Sequence, residues 1–228
     1  MKEYILFYAP GACSLASHIA LTESGLAFEA RSVDLSRGEQ RDESFLALNP
    51  KGRVPLLLAP EGTISESPAI LEYVASVAPD AGLVPSVPYS AAKMRAFNCY
   101  LCATVHVAHA HGPRGSRWAD SEDALLDLKA KVPETMGAAF KLIEDQLAES
   151  SAVDQGRSQA GGPWVLGREY SVADAYLYTF SRWLELDRVD ISGLQRVLAH
   201  RTAMEARPAV QAVLEAEGVP PMGDVGSA

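Results

Sequence analysis

Cysteine is scarce in this chain of 228 residues: there are three, at positions 13, 99 and 102. An odd, small number gives no disulfide framework, and a reducing compartment leaves each as a free thiol. No stretch approaches the roughly 18 consecutive apolar residues of a membrane helix. Met1-Lys2-Glu3-Tyr4 runs straight into a strand-like segment and not into the apolar core of a leader peptide, so a cytoplasmic location is expected. Basic residues are in deficit, with 20 Lys and Arg against 29 Asp and Glu and a formal net charge of −9. That balance argues against nucleic acid or an anionic membrane surface as partner, because both demand a basic face that displaces counterions, although a local basic patch stays open. What is present is the ordinary mixture of a globular protein, 48% apolar and 21% charged, with no internal repeat.

The punctuation of the chain predicts two regions. Tyr4 to Tyr8 reads as a strand stopped by Pro10-Gly11, and Leu15, Ile19 and Leu26 mark a helix ending at Gly25. Phe28 to Leu35 reads as a second strand, parallel to the first. A short helix around Phe45 to Leu48 follows, then the turn Asn49-Pro50-Lys51-Gly52. Val54 to Leu58 and Thr63 to Ser65 form an antiparallel hairpin about Pro60-Glu61-Gly62. Beyond the proline-rich link 79–88 every periodic segment is helical: Tyr89 to His111, Ala124 to Ser150 with a break before Pro133, Ser171 to Leu186, and Leu194 to Glu217 with a restart at Pro208. The expected division is an α/β domain over residues 1–80, an all-α domain over 89–218, and a frayed tail over 219–228. The Gly- and Ser-rich loop Ser151 to Pro163 is expected to be a mobile surface excursion.

Several residues carry chemistry. Cys13 lies at the entry of the first helix, where unpaired N–H groups and the helix dipole favour a thiolate, so a lowered pKa is expected; it reads equally as a small side chain packing the junction. Cys99 and Cys102 form a C-x-x-C pair inside a helix, which reads as core packing more readily than as a redox pair. Val54-Pro55 is an X–Pro bond which, if cis, turns the Val54 backbone outward as a peptide-binding edge; an ordinary trans proline is the alternative. Ser67 reads as the N-cap of a helix with Pro68 at its first position. Free N–H groups there suit a carboxylate and Glu66 suits an ammonium, so the pair fits an α-amino-acid head group, or is merely a capped acidic turn. Of His106, His109 and His111, the first two share a helix face, but the third lies around the helix and no acid or thiol is placed as a fourth ligand. Zinc is therefore set aside, and His106 is read as a pocket donor or acid–base group, or as part of a polar inter-helix face. Ser171-Val172-Ala173-Asp174 is a capping box and is structural.

Taken in order, Pro10-Gly11-Ala12-Cys13-Ser14, His18-Ile19-Ala20-Leu21, Asn49-Pro50-Lys51-Gly52-Arg53-Val54-Pro55, Glu66-Ser67, Ser171 to Leu177 and Arg207-Pro208-Ala209-Val210-Gln211 resemble the glutathione transferase family, most closely its bacterial beta class. The resemblance implies a thioredoxin-like N-terminal domain, an all-helical C-terminal domain and a homodimer. It implies glutathione as cosubstrate with no metal, and a detoxifying conjugation of its thiol to small, mainly hydrophobic electrophiles. By the same resemblance Cys13 contacts the glutathione sulfur, Val54 before a cis Pro55 pairs with the cysteinyl backbone, Glu66 and Ser67 hold the γ-glutamyl head, and the segment from Thr104 to His106 lies at the pocket with His106 near the sulfur. Three departures stand out: Arg37 and Gly38 fall where relatives carry a helix-two lysine or similar contact, Cys99, with Asn98 beside it, falls where the family places an Asn reaching the neighbouring subunit, and the His109 to Pro113 run is less aromatic than in relatives. A glutathione-dependent disulfide reductase using Cys13, and a non-catalytic binding protein of the same fold, are the rival readings.

Overall fold

The computed structural model describes residues 4–153 and 161–223. Strand β1 (Tyr4–Tyr8) leads through a turn to helix α1 (Leu15–Ser24) and back to β2 (Phe28–Ser32), followed by the short α2 (Glu43–Leu48), β3 (Leu56–Ala59), β4 (Gly62–Ser65) and α3 (Ser67–Val77). The sheet order is β2-β1-β3-β4, with β1 and β2 parallel and the other pairs antiparallel. Leu6 pairs with Leu57 across the centre, and both are fully buried. The rest is helical: α4 (Pro88–Tyr100), α5 (His106–Ala110), α6 (Glu122–Val153), α7 (Val172–Ser181), α8 (Gln195–Glu205) and α9 (Pro208–Glu217). This is a thioredoxin-like α/β layer followed by a helical layer, as the resemblance implies.

One apolar cluster runs without interruption from the sheet through Ile70 and Val74 of α3 into Phe140, Tyr176 and Phe180 of the helical layer. A second joins Leu15 and Ile19 of α1 to Tyr178 of α7 and to Val210 and Val213 of α9. Helix α1 is therefore sandwiched between the sheet and the helices, and it packs on α3, α7 and α9. Fully burying each such large side chain contributes about 1.5–3 kcal/mol, so the two layers are joined by their shared interior and not by a hinge.

Several expectations are corrected by packing. Strand β2 ends at Ser32, short of Leu35, because the Asp34 carboxylate accepts from the Ser36 and Arg37 N–H groups and turns the chain. Strand β3 begins at Leu56, since Pro55 has no N–H to donate to a ladder. The helix expected over 89–111 contains a π-helical turn, Leu101–Val105, in which the His106 N–H reaches back to the Leu101 carbonyl. No break precedes Pro133: α6 runs through it. A mid-helix proline costs about 3 kcal/mol, but Val132, Met136, Phe140 and Ile143 lie on one buried face whose packing outweighs that cost. Helix α7 stops at Ser181, and a turn through Arg188, at φ 58°, carries the chain onward.

Of the tail expected to fray, Val219, Pro220 and Met222 make contacts with the rest of the protein. Val219 packs on the α1–α9 cluster, the Pro220 carbonyl accepts from Arg182, and the Met222 N–H donates to Glu205. Residues 224–228 lie outside the described residues, as do residues 154–160 of the loop expected to be mobile. No helix among the described residues is long and apolar enough to cross a membrane.

The capping box at α7 is more than a local device. Asp174, fully buried, accepts from the Ser171 and Val165 N–H groups at 2.8 Å each and lies 3.1 Å from His200 Nε2. Ser171→Ala removes one cap bond and is expected to cost about 1 kcal/mol, whereas Asp174→Ala strands two buried donors and His200 and is expected to cost about 3 kcal/mol or more. Urea unfolding of both variants checks the ordering; a Ser171→Ala penalty equal to the Asp174→Ala one would contradict it.

Candidate functional site

The first turn after β1 is held from both layers. Ser14 Oγ accepts from the Ala9 N–H and donates to the Ala9 carbonyl. Gly11, at φ 66°, donates its N–H to Glu217 Oε2 at 2.9 Å, and its carbonyl accepts from Trp183 Nε1 at 3.1 Å. The other Glu217 oxygen lies 2.9 Å from His18 Nδ1, so a fully buried carboxylate at the end of α9 clasps both the turn and α1. On this clasped turn sits Cys13, whose thiol donates to the Val54 carbonyl at 3.4 Å.

Val54 stands just ahead of β3, and its bond to Pro55 is cis. The approach to it is fixed by Asn49, whose side-chain amide donates to the Arg53 carbonyl and whose oxygen accepts from the Lys51 N–H. Gly52, at φ 60°, is required there, because a Cβ would meet the Gln40 carbonyl at 3.0 Å. Glu66 has φ 77°, a left-handed conformation unusual for Glu, and it turns β4 into α3. That turn corrects the cap assignment: Glu66 occupies the cap position and Ser67, buried, is the first helical residue, with Pro68 second. Lys51 Nζ donates to Glu66 Oε1 at 2.6 Å and to Ser65 Oγ at 2.9 Å. Both charged side chains are about half exposed, so the pair contributes under about 1 kcal/mol.

The helical layer supplies the opposite wall. Cys102, His106 and Ala110 recur at four-residue intervals and line a cleft of about 360 Å³ together with Cys13, Val54 and Glu66. Pro55 and Ser67 line it too. Thr104 does not: two positions from both Cys102 and His106, it falls on the far side of the helix and is exposed. The three histidines do not converge: His106 and His109 both meet Trp183 but differ in their other partners, and His111 lies elsewhere. His106 packs between Phe180 and Trp183, His109 stacks on Trp183 with its Nδ1 2.8 Å from Asp187, and His111 meets the edge of Trp118. His109 is thus a buried structural residue. Cys99 is exposed, while Cys102 is half-buried on the cleft, so the C-x-x-C pair is split between two environments.

Electrostatics overturn one expectation. Burial pushes the Cys13 thiol up to about 11, outweighing the opposite pull of the Arg114 guanidinium. The dipole argument for a thiolate fails because desolvation of this half-buried sulfur at the cleft wall is the larger effect. Burial also holds the His106 imidazole down to about 3, with Arg114 adding to the shift. Arg114 Nη2 lies 3.0 Å from His106 Nε2, so the neutral ring accepts there and carries its proton on Nδ1. Arg53, Arg114, Arg117, Trp118 and Tyr176 also line the cleft, and sequence reasoning gave none of them a role. The signal available was the segment Arg114-Gly115-Ser116-Arg117-Trp118, locally basic and aromatic in an acidic chain.

Residues 2–76 match the N-terminal domain of glutathione S-transferases, and residues 118–217 match the C-terminal domain. The chain is 34% identical over 217 residues to glutathione S-transferase GstA of Escherichia coli O157:H7, covering 94% of this chain and 98% of the relative. It is 35% identical over 216 residues to glutathione S-transferase GST-4.5 of Xanthomonas campestris pv. campestris, with the same coverage of each chain. Among solved structures, a glutathione transferase homologue from Sulfitobacter with bound glutathione superposes with a TM-score of 0.87 at 40% identity, covering 96% of this chain and all of the other. A bacterial beta class glutathione S-transferase from Sphingomonas chungbukensis gives 0.77 at 32% identity, covering 95% of this chain and 100% of that one.

Two measurements follow from the electrostatics. Alkylation of Cys13 by iodoacetamide, followed at its own peptide by mass spectrometry, is expected to rise continuously with pH toward about 11, and to slow further in Arg114→Gln; a plateau near pH 7 would contradict a thiol held protonated at neutral pH. Nitrogen chemical shifts of His106 are expected to report one neutral tautomer from pH 5 to pH 9, because its midpoint lies at about 3. A titration between pH 6 and pH 7 would remove that assignment.

Proposed function

The chain belongs to the glutathione S-transferase family, and on that premise we propose that it binds glutathione in the cleft beside Cys13 and joins its sulfur to small electrophiles. The observation that carries this reading is the convergence on one cleft of a carboxylate, a helix start, a cis X–Pro edge and a thiol. Glutathione has an ammonium, a carboxylate, a peptide backbone and a thiol in the same sequence. Glu66 takes the γ-glutamyl ammonium, and the weak pair with Lys51 yields to it at small cost. Ser67, at the start of α3, takes the neighbouring carboxylate. Val54 beside Pro55 pairs with the cysteinyl backbone, which brings the glutathione sulfur to Cys13 and into the neighbourhood of His106 and Arg114. Thr104, exposed and outside the cleft, has no part in this.

The chemical step is a displacement. The glutathione thiol gives its proton to water, the thiolate forms a sulfur–carbon bond with the electrophile, and the leaving group departs with the electrons of the bond it breaks. Cys13, held protonated by burial, is suited to donate its S–H to that thiolate and stabilise it. The same high pKa makes Cys13 a poor nucleophile of its own, which favours conjugation over disulfide reduction. We further infer a cytoplasmic homodimer that detoxifies electrophiles, in keeping with the free thiols and the family.

Titration calorimetry with glutathione and turnover of chlorodinitrobenzene test the assignment. Ser67→Ala is expected to weaken glutathione binding by on the order of tenfold. Cys13→Ala is expected to retain binding but to lower kcat more at pH 6.5 than at pH 8.5, where the thiolate forms without help. Wild-type protein that takes up no glutathione would end the proposal, and an unchanged kcat in Cys13→Ala would end the donor role alone.

A further inference from the structure

The charges of the cleft do not balance. Lys51, Arg53, Arg114 and Arg117 line it, against one carboxylate among its described residues, Glu66, which is paired to Lys51. Arg53, Arg114 and Arg117 form no ion pair with a carboxylate among the described residues, whereas Arg95, Arg201 and Arg207 elsewhere each have one. Arg114 is partly buried, its Nε has no hydrogen-bond partner, and its Nη2 rests on the neutral His106, which offsets no charge. Burial and the nearness of Arg53 hold Arg114 and Arg117 below the ordinary arginine range. In a chain of net charge −9 this is a concentrated positive surface whose one carboxylate among the described lining residues, Glu66, is already taken by Lys51.

Bound glutathione accounts for only part of it. As the thiolate it carries two carboxylates and the thiolate against one ammonium, a net charge of about −2 by ordinary pKa values. The four cations and Glu66 leave a surplus of three, so one positive charge is still unmatched when glutathione is in place. Arg53 lies on the loop that presents Val54, whereas Arg114 and Arg117 belong to the turn after α5, on the helical wall with Trp118. We propose that the electrophile carries an oxyanion group, a carboxylate or sulfonate, which Arg117 and Arg114 hold while the attached ring lies against Trp118. This rests on the glutathione-conjugating reading and adds the acceptor's chemical class: apolar in its ring, anionic at one end.

A matched pair of aryl chlorides tests it, 4-chloro-3-nitrobenzoate against 4-chloro-3-nitrobenzamide. In both, the glutathione sulfur replaces chloride, which leaves with the carbon–chlorine electron pair. Each kcat/KM is divided by the uncatalysed rate with glutathione, so that intrinsic reactivity cancels. Wild-type protein is expected to favour the benzoate by roughly tenfold or more. Arg117, being exposed, tolerates substitution: Arg117→Lys is expected to keep the preference, and Arg117→Glu to reverse it. Equal normalised values in the wild type, or a ratio that Arg117→Glu leaves unmoved, would overturn the proposal. Glutathione titration of the same samples separates the two levels. Saturable binding with indifference to the carboxylate defeats this inference alone, and absence of binding defeats the conjugation reading with it.

Discussion

A carboxylate removed from water has to be met by donors, and the fully buried Glu217 is met by the Gly11 N–H and the His18 ring. Those partners belong to the turn that carries Cys13 and to the helix behind it, whereas Glu217 itself closes α9. Trp183 reinforces the arrangement by donating to the Gly11 carbonyl. The turn that carries Cys13 is thus positioned by the helical layer as much as by the sheet it leaves. A loop with so small a residue at its centre would otherwise sample many conformations. Here both polar groups of Gly11 are committed to side chains from the far end of the chain, and the apolar clusters that α1 shares with α7 and α9 hold those side chains in register.

Enclosure also sets the chemistry. The same exclusion of water that makes the clasp strong raises the Cys13 thiol and neutralises His106, so neither group carries charge near neutral pH. The formal charge of the cleft then resides in its arginines and in the Lys51–Glu66 pair. The local basic patch that a net charge of −9 left open is this cleft.

Much of this was legible in the chain. Strand β1, the stop of α1 at Gly25, the hairpin about Gly62 and the capping box at Ser171 are written in local turn and cap chemistry, and the structure follows them. Cys13, Val54, Pro55, Glu66 and Ser67, which line the cleft, were found because they sit in short motifs with unusual backbone demands: a glycine turn, an X–Pro bond, a helix start. What stayed illegible depends on partners distant in sequence. Pro133 reads as a break until the buried face of α6 is known. Thr104 reads as a neighbour of His106 until the helical phase is fixed, and the π-helical turn at Leu101–Val105 leaves no mark in composition. Cys13 reads as a thiolate until the protein around its sulfur is counted. Arg114 and Arg117 lie in a loop without periodicity, so only the fold discloses that they share a cleft with Arg53.

The clasp at Gly11 has a consequence for how the protein is made. Its two halves are separated by 206 positions, so the turn bearing Cys13 leaves the ribosome long before its carboxylate does. At ordinary elongation rates the interval is about 10 to 40 s. During that time the nascent strand and thiol have a sheet to join but no anchor for the turn. The turn that carries Cys13 therefore gains its carboxylate anchor only after residue 217 has been made.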